Sequence, residues 1–313
     1  MHWLQSTLVL LVFVIIGCAA APPPDPVTGN TIVHSPSMCK DKSGKYFLFS
    51  GGVGLEIRTS TDRKAWTLIG KVWPNGAPWT DKYTKSSHGK IWAPDCTYVN
   101  GNFILYYAAS TTGSLESAIF LAKSSTGLPG SWSNKGMITF TTNNSDYNVS
   151  TPLNYRQNYG NKWYLSFGSY HTGIKSMNIN PSTGLPLSKS ITPLAQRKGN
   201  VTAMEASCVF KANNFYYLFT SWNHDHCTPS ICPEAPNGTL STYQIRVGRS
   251  TSPTGGFVDK SGKSLLNSGG TLVMGSHDNI VGPGGQDIMQ DDDGPIMVYY
   301  YHTNFSSGWP VVT

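Results

Sequence analysis

The strongest constraint on this chain is that it repeats. An aromatic, apolar strand recurs five times, as KYFLFSGG (45–52), NFILYYAAS (102–110), KWYLSFGSY (162–170), FYYLFTSW (215–222) and IMVYYYHTN (296–304). Before each lies a shorter, less hydrophobic strand: HSPSMC (34–39), APDCTY (93–98), NVSTPLNY (148–155), MEASCVF (204–210) and GPGGQDIM (282–289). Turns rich in Asn, Gly, Asp and Lys join the two, as a hairpin requires. A third strand follows the first four aromatic ones, in GLEIRTSTD, SAIFLAKSS, GIKSMNINP and YQIRVGRSTS. Nothing reads as a long amphipathic helix.

Units of roughly 50 to 80 residues, each an antiparallel sheet, predict an all-β chain built as a propeller. Five copies predict a five-bladed β-propeller over residues 31–313. A sandwich of two sheets would not explain why every first strand carries a Pro or Gly and a polar residue. In a propeller the innermost strands crowd round an axis, and one end of that axis forms a polar pocket. The fifth copy is short. After Tyr301 only HTNFSSGWPVVT remains, too little for a third and a fourth strand. The last blade is therefore expected to be truncated, or closed by the N-terminal segment.

Composition narrows the function classes. Only 13% of residues are charged, and the net charge of +6 is spread without a Lys/Arg run. This argues against a nucleic-acid partner. LQSTLVLLVFVIIG followed by CAAAPPPDP reads as a secretory signal peptide over residues 1–21, with a Pro-rich segment at 22–30. IIGC also resembles a lipoprotein box at Cys18, but the basic residues such signals need are absent. No other segment is long and apolar enough to cross a membrane. A secreted, extracellular monomer is expected. Sequons at Asn143, Asn148, Asn200, Asn237 and Asn304 agree with secretion, although a Ser/Thr/Asn-rich chain also makes sequons by chance. Cys227 and Cys232 flank a Pro-containing loop and are the disulfide candidates. Cys39, Cys96 and Cys208 read as buried thiols, at least one of them unpaired.

Aligning the inner strands brings Ser35, Asp95, Thr151, Glu205 and the Gly285-Gln286 pair to the axis. Acids in the pocket of a secreted propeller suggest glycoside hydrolysis. That chemistry needs one carboxyl group to protonate the leaving oxygen and another to activate water or attack carbon.

The segments WAPDCTYVNG, YYAASTTGSLESAIFLA, YLSFGSYHTGIK, VGRSTSPTGGFVD, VGPGGQD and FSSGWPVV carry a resemblance. Together they resemble the endo-1,5-α-L-arabinanases of glycoside hydrolase family 43, over nearly the whole mature chain. The resemblance implies a five-bladed propeller and an inverting enzyme acting on arabinan or a related pentose polysaccharide. It implies three acids. Glu205, in AMEAS, matches the general acid. The base, an Asp in an H-D-P motif, is matched by Ser35 in His34-Ser35-Pro36. The Asp that tunes the acid's pKa is matched by Thr151. Asp95, Trp92, Ser117, Asn148 and Ser169 match substrate-binding positions. His302 matches a His that holds a metal ion, usually calcium (Ca2+), through water in the propeller axis. In the family a further strand or two separates the YYH strand from FSSGWPVV. Here they are nearly adjacent.

Without the resemblance, His302 reads as a His satisfied at a strand end. Trp92 reads as sheet packing, and Ser117 and Ser169 as solvated strand ends. Trp222 and Tyr170 read as stacking platforms or core. His224, Asp225 and His226 read as a solvated loop.

A Ser hydroxyl is no general base near neutral pH, and Thr151 supplies no charge. Glu205 would then lack the neighbours that raise its pKa. Losing a general base removes a factor of roughly 10² to 10⁴ in rate. The expectation is a catalytically impaired arabinanase-like protein. The alternatives are a hydrolase with a rearranged base, with Asp95 ahead of Asp41 and Asp146, and a non-catalytic secreted propeller that meets a protein partner.

Overall fold

The computed structural model describes residues 26–86, 90–111, 113–150, 153–157, 162–227, 231, 241–303 and 311–312. The expected signal peptide (1–21), Thr151, Cys232, Asn237 and Asn304 lie outside the described residues.

Five sheets follow one another along the chain. The first holds β1 (Thr28–Gly29), β2 (Ser37–Lys40), β3 (Tyr46–Ser50), β4 (Glu56–Ser60) and β5 (Ala65–Lys71). The second holds β6 (Lys90–Val99), β7 (Asn102–Ser110), β8 (Ser117–Ser124) and β9 (Ser133–Thr141). The third holds β10 (Leu153–Gln157), β11 (Lys162–Phe167), β12 (Ile174–Ile179) and β13 (Thr192–Ala195). The fourth holds β14 (Met204–Ala212), β15 (Phe215–Trp222), β16 (Gln244–Ser250) and β17 (Thr271–Met274). The fifth holds β18 (Val281–Asp291), β19 (Gly294–His302) and β20 (Val311–Val312). From β2 onward each strand pairs antiparallel with the next in its sheet.

The first strands neighbour one another in turn, β2 to β6 to β10 to β14 to β18, and β18 returns to β2. The fold is an all-β propeller. Among the described residues, α-helix is confined to a single turn at Asp81–Thr84. No helix there is long and apolar enough to cross a membrane.

This ring explains why the aromatic strands read as continuous apolar runs. Successive side chains of a strand point to opposite faces. Phe103, Leu105 and Tyr107 of β7 pack with Phe47 and Phe49 of the first sheet. Ile104 and Tyr106 of the same strand pack with Leu165 and Phe167 of the third. A sheet held between two neighbours buries both faces. The same holds where the ring meets itself: Tyr46, Leu48 and Trp66 of the first sheet pack with Val298 and Tyr300 of the fifth.

Two expectations change here. The fifth sheet does have a third strand, because Val311 and Val312 pair with Tyr300 and Tyr299. Two residues suffice for one ladder step. The described part of the N-terminal segment does not close the last sheet, since β1 runs parallel to β5 at the outer edge of the first. Side chains close the ring instead. The buried Asp291 carboxylate on β18 accepts from Lys40 Nζ at 2.7 Å, Tyr46 OH at 2.6 Å and Arg63 NH1 at 2.7 Å, all from the first sheet.

Cys39 and Cys96 differ from expectation, whereas a buried, unpaired Cys208 agrees with it. Cys39 and Cys96 form a disulfide that ties β2 to β6. Their Cα atoms lie 5.8 Å apart on adjacent inner strands, within disulfide reach. A sequence separation of 57 hides that proximity. Cys208 is a buried free thiol, and Cys227 is disulfide-bonded.

Candidate active site

The recurring Pro, Gly and polar residues of the inner strands bend them at one level. Ser35, Ala93 and Ala206 hold left-handed φ values of 47°, 46° and 50°. Such a conformation costs a non-glycine residue on the order of 1–3 kcal/mol, which the surrounding sheet must offset. Register slips lie between Trp92 and Asp95, between Glu205 and Cys208, and between Gly284 and Asp287. Bulges of this kind re-aim side chains. His34, Ser35, Trp92 and Glu205, before the bends, line a cavity of about 700 Å³ at the N-terminal ends of the inner strands. Residues after the bends line a second cavity of about 510 Å³ at the C-terminal ends.

Asp95 lines that second cavity. The slip after Trp92 sends the two side chains to different ends of the axis, so the structure does not bring Asp95 to Glu205. Asp41 is occupied in a turn, accepting from Ser43 N, Ser43 Oγ and Lys45 N. Asp146 is exposed.

Glu205 sits half-buried on β14. Tyr243 OH donates to its Oε1. Burial pushes the Glu205 carboxyl up, to about 7, with Asp225 adding to the rise and the Tyr243 hydrogen bond opposing it. The expectation that Glu205 lacks a neighbour raising its pKa is therefore corrected.

That neighbour belongs to the loop after β15, which reads from the sequence as solvated. Asp225 is instead gripped. Its Oδ2 lies 3.4 Å from His34 Nε2 and accepts from Tyr300 OH at 3.2 Å. Its carbonyl oxygen lies 2.8 Å from His302 Nε2. Burial alone would raise the Asp225 pKa, but the hydrogen bonds with His34 and Tyr300 outweigh it and leave the carboxylate ionised. One protonated and one ionised carboxyl thus face the same cavity.

Glycines on β18 place both tyrosines. A Cβ at Gly284 would lie 2.2 Å from the Tyr243 ring, and one at Gly285 2.3 Å from the Tyr300 ring. Any larger residue would push the phenols off Glu205 and Asp225. Gln286 faces the sheet, bonding Ser221 Oγ and the Ala206 carbonyl.

Of the other sequence-predicted residues, Trp92, Asn148 and Ser169 line the cavity. Asn148 Oδ1 accepts from Ser150 N at 2.8 Å, and Ser150 Oγ donates to Ser169 Oγ at 2.6 Å. The Asn148 amide is buried, which removes that sequon from the accessible set. Ser117 does not line the cavity. It is buried in β8 and its Oγ faces the Ala109 carbonyl at 3.4 Å. Trp222 is core, with the Arg197 and Arg246 guanidinium groups 4.5 and 4.6 Å from its ring. Tyr170 lines the cavity and meets His224 Nδ1 at 3.2 Å.

For the axial ion implied by the resemblance, His302 is the residue to test. Its Nε2 is engaged by the Asp225 carbonyl. Among the described residues, no three His, Cys, Asp or Glu side chains cluster as metal ligands. His302 is the residue that would hold such an ion through water, and no chemical step below runs through one.

An axial cavity in a propeller that sets a protonated carboxyl near an ionised one has the equipment of a glycoside hydrolase. The chain belongs to the glycosyl hydrolases family 43, whose description matches residues 25–311. It is 37% identical over 295 residues to the extracellular endo-alpha-(1->5)-L-arabinanase 1 of Bacillus subtilis, covering 90% of this chain and 88% of that one. It is also 37% identical over 311 residues to the probable arabinan endo-1,5-alpha-L-arabinosidase C of Aspergillus clavatus, covering 95% and 92%. Among solved structures it superposes on the native Bacillus subtilis arabinanase with a TM-score of 0.79 at 34% identity, covering 90% and 93% of the chains. The Cellvibrio cellulosa α-L-arabinanase complexed with arabinohexaose gives a TM-score of 0.80 at 26% identity, covering 90% of each chain.

Proposed function

We propose that this chain is a secreted, five-bladed arabinanase-like hydrolase that binds 1,5-α-L-arabinan and cleaves it slowly. The observation that carries the reading is Glu205. It is held by Tyr243 in the lining of the axial cavity and keeps its proton near neutral pH, as a general acid must. Glu205 gives that proton to the leaving oxygen while water attacks the anomeric carbon from the opposite side. The rate is limited because Ser35, a hydroxyl, stands where a carboxylate base would act. Trp92, Asn148 and Ser169 line the cavity that would hold the sugar. The family's arabinan-directed relatives, one of them extracellular, support the substrate and the secretion reading. The closed ring of inner strands, with a three-stranded fifth sheet, supports five blades.

The test is reducing-end release from linear 1,5-α-arabinan by the purified mature protein beside Glu205→Gln. Binding of arabino-oligosaccharides is measured on both by calorimetry. Slow release that disappears in the variant, with binding retained, is the expected result. Absence of binding in a folded protein would refute the substrate class. Release that survives in Glu205→Gln would refute the assigned acid.

A further inference from the structure

The cavity holds an arrangement that the loss of the carboxylate base makes significant. Ser35 Oγ lies 3.3 Å from His34 Nδ1, and His34 Nε2 lies 3.4 Å from Asp225 Oδ2. Asp225 comes from a loop 191 residues away from His34 and is fixed from behind by Tyr300 OH and His302. The His34 ring rests tilted against Tyr300, with centroids 4.8 Å apart. Gly51 leaves room for its Nδ1, since a Cβ there would lie 3.2 Å away. A hydroxyl, an imidazole and a buried carboxylate in series form a proton relay, and such contacts are commonly loose until substrate binds.

Building on the arabinan-cleaving reading above, we propose that Ser35, His34 and Asp225 together replace the missing carboxylate base. The arrangement fixes the tautomer. His34 Nε2–H faces the Asp225 carboxylate, so Nδ1 is the acceptor and takes the Ser35 hydroxyl proton. When water attacks the anomeric carbon, its proton passes to Ser35 Oγ as the Ser35 proton moves to His34 Nδ1. The new C–O bond forms at water, the glycosidic C–O bond breaks, and Glu205 supplies the proton for the leaving oxygen. The imidazolium formed at His34 is held by the Asp225 charge and later loses its proton to solvent, while Glu205 regains one. Proton count and charge balance over the cycle. Ser35 is the catalytic group, because in this scheme it takes the proton of the attacking water. His34 and Asp225 are positioning residues acting through it.

The relay makes activity depend on neutral His34. Among the described residues, the titratable and charged groups around His34 include Asp225 from the loop after β15, Tyr300 and His302 from β19, Glu205 across the cavity and Lys90 from β6, with His226 acting on Asp225 and His302. The experiment compares arabinan cleavage by wild type, Ser35→Ala, His34→Gln, Glu205→Gln, Ser35→Asp and the double variant Ser35→Asp/His34→Gln, with unfolding midpoints as the folding control. Ser35→Ala and His34→Gln are each expected to lower kcat by roughly tenfold or more with little change in KM. Ser35→Asp is expected to raise kcat roughly a hundredfold, to move the acid limb of the pH profile down into the carboxylate range, and to make kcat insensitive to His34→Gln. Wild-type cleavage that requires Glu205 but is unchanged by Ser35→Ala and His34→Gln overturns the relay and leaves the proposed function standing. No cleavage by folded wild type overturns both.

Discussion

Replacing Tyr243 by Phe isolates one of the forces acting on the proposed acid. Tyr243 OH donates to Glu205 Oε1, and this bond favours the charged carboxylate. It works against burial and Asp225, which together leave the Glu205 pKa at about 7. Removing the hydroxyl removes the only one of these effects that lowers the pKa, so the proton must be held more tightly. A hydrogen bond to a charged group contributes about 1.5–3 kcal/mol, and 1.36 kcal/mol corresponds to one pKa unit, so the rise is about 1–2 units. The Phe ring keeps its packing on Gly284, so the perturbation is confined to one oxygen. The assay is a carboxyl chemical-shift titration with labelled glutamate, independent of turnover. The chain has four glutamates, and the Glu205 signal is the one missing in Glu205→Gln. A wild-type midpoint near 7 that moves to about 8–9 in Tyr243→Phe is expected, and the alkaline limb of kcat moves up with it. An ordinary wild-type midpoint between about 4 and 5, or a midpoint that stays or falls in the variant, would refute the reasoning.

Two further predictions concern what holds the ring shut. Burial would raise the Asp291 pKa, but the Lys40 and Tyr46 hydrogen bonds outweigh it and leave the pKa at about 2, down from 3.8. A depressed folded pKa stabilises the protein above the unfolded value, and that contribution disappears as pH falls from about 4 through 2. The shift corresponds to about 2.5 kcal/mol. Asp291→Asn should lose about that much at pH 7, since Lys40 and Arg63 keep Asp292 and Asp293 as partners, read as a lower urea midpoint; an unchanged midpoint would mean the ring closes without these pairs. Cys39→Ala/Cys96→Ala should cost about 4 kcal/mol by the same assay, from the 57-residue separation the bond spans. A loss under about 1 kcal/mol would show that the two inner strands are held by packing alone.

The parts of the site legible in the chain were those carried by local pattern. Glu205 sits at the kink of an inner strand, and the kink is written as Pro, Gly or a small residue in each copy. Trp92, Asn148 and Ser169 follow the same logic and reach the cavity. Asp95 does not, because a slip of one residue follows Trp92, and the amino-acid pattern does not reveal it. Ser117 lies at a strand start, but its neighbours are the paired strands of its own sheet. Asp225 was hidden by composition: a polar HDH run beside a cysteine looks like a solvated loop. Tyr243 carried no signal at all. The flanking glycines of the GPGG run were visible, yet their use as flat seats for two phenol rings was not.

The repeat by itself determined the architecture. Aromatic strands that bury both faces have few arrangements open to them, and a ring of sheets is the one that also bends every inner strand toward an axis. The sequence also determined that a hydroxyl, Ser35, stands between His34 and Pro36. Only the tertiary structure decided what stands behind that hydroxyl, which carboxylate keeps the Glu205 proton, and which side chains close the ring. His34 meets Asp225 across 191 residues, and Lys40 meets Asp291 across 251. Strand alternation reports on neighbours two positions apart, whereas these contacts depend on where the ring brings its ends and loops together.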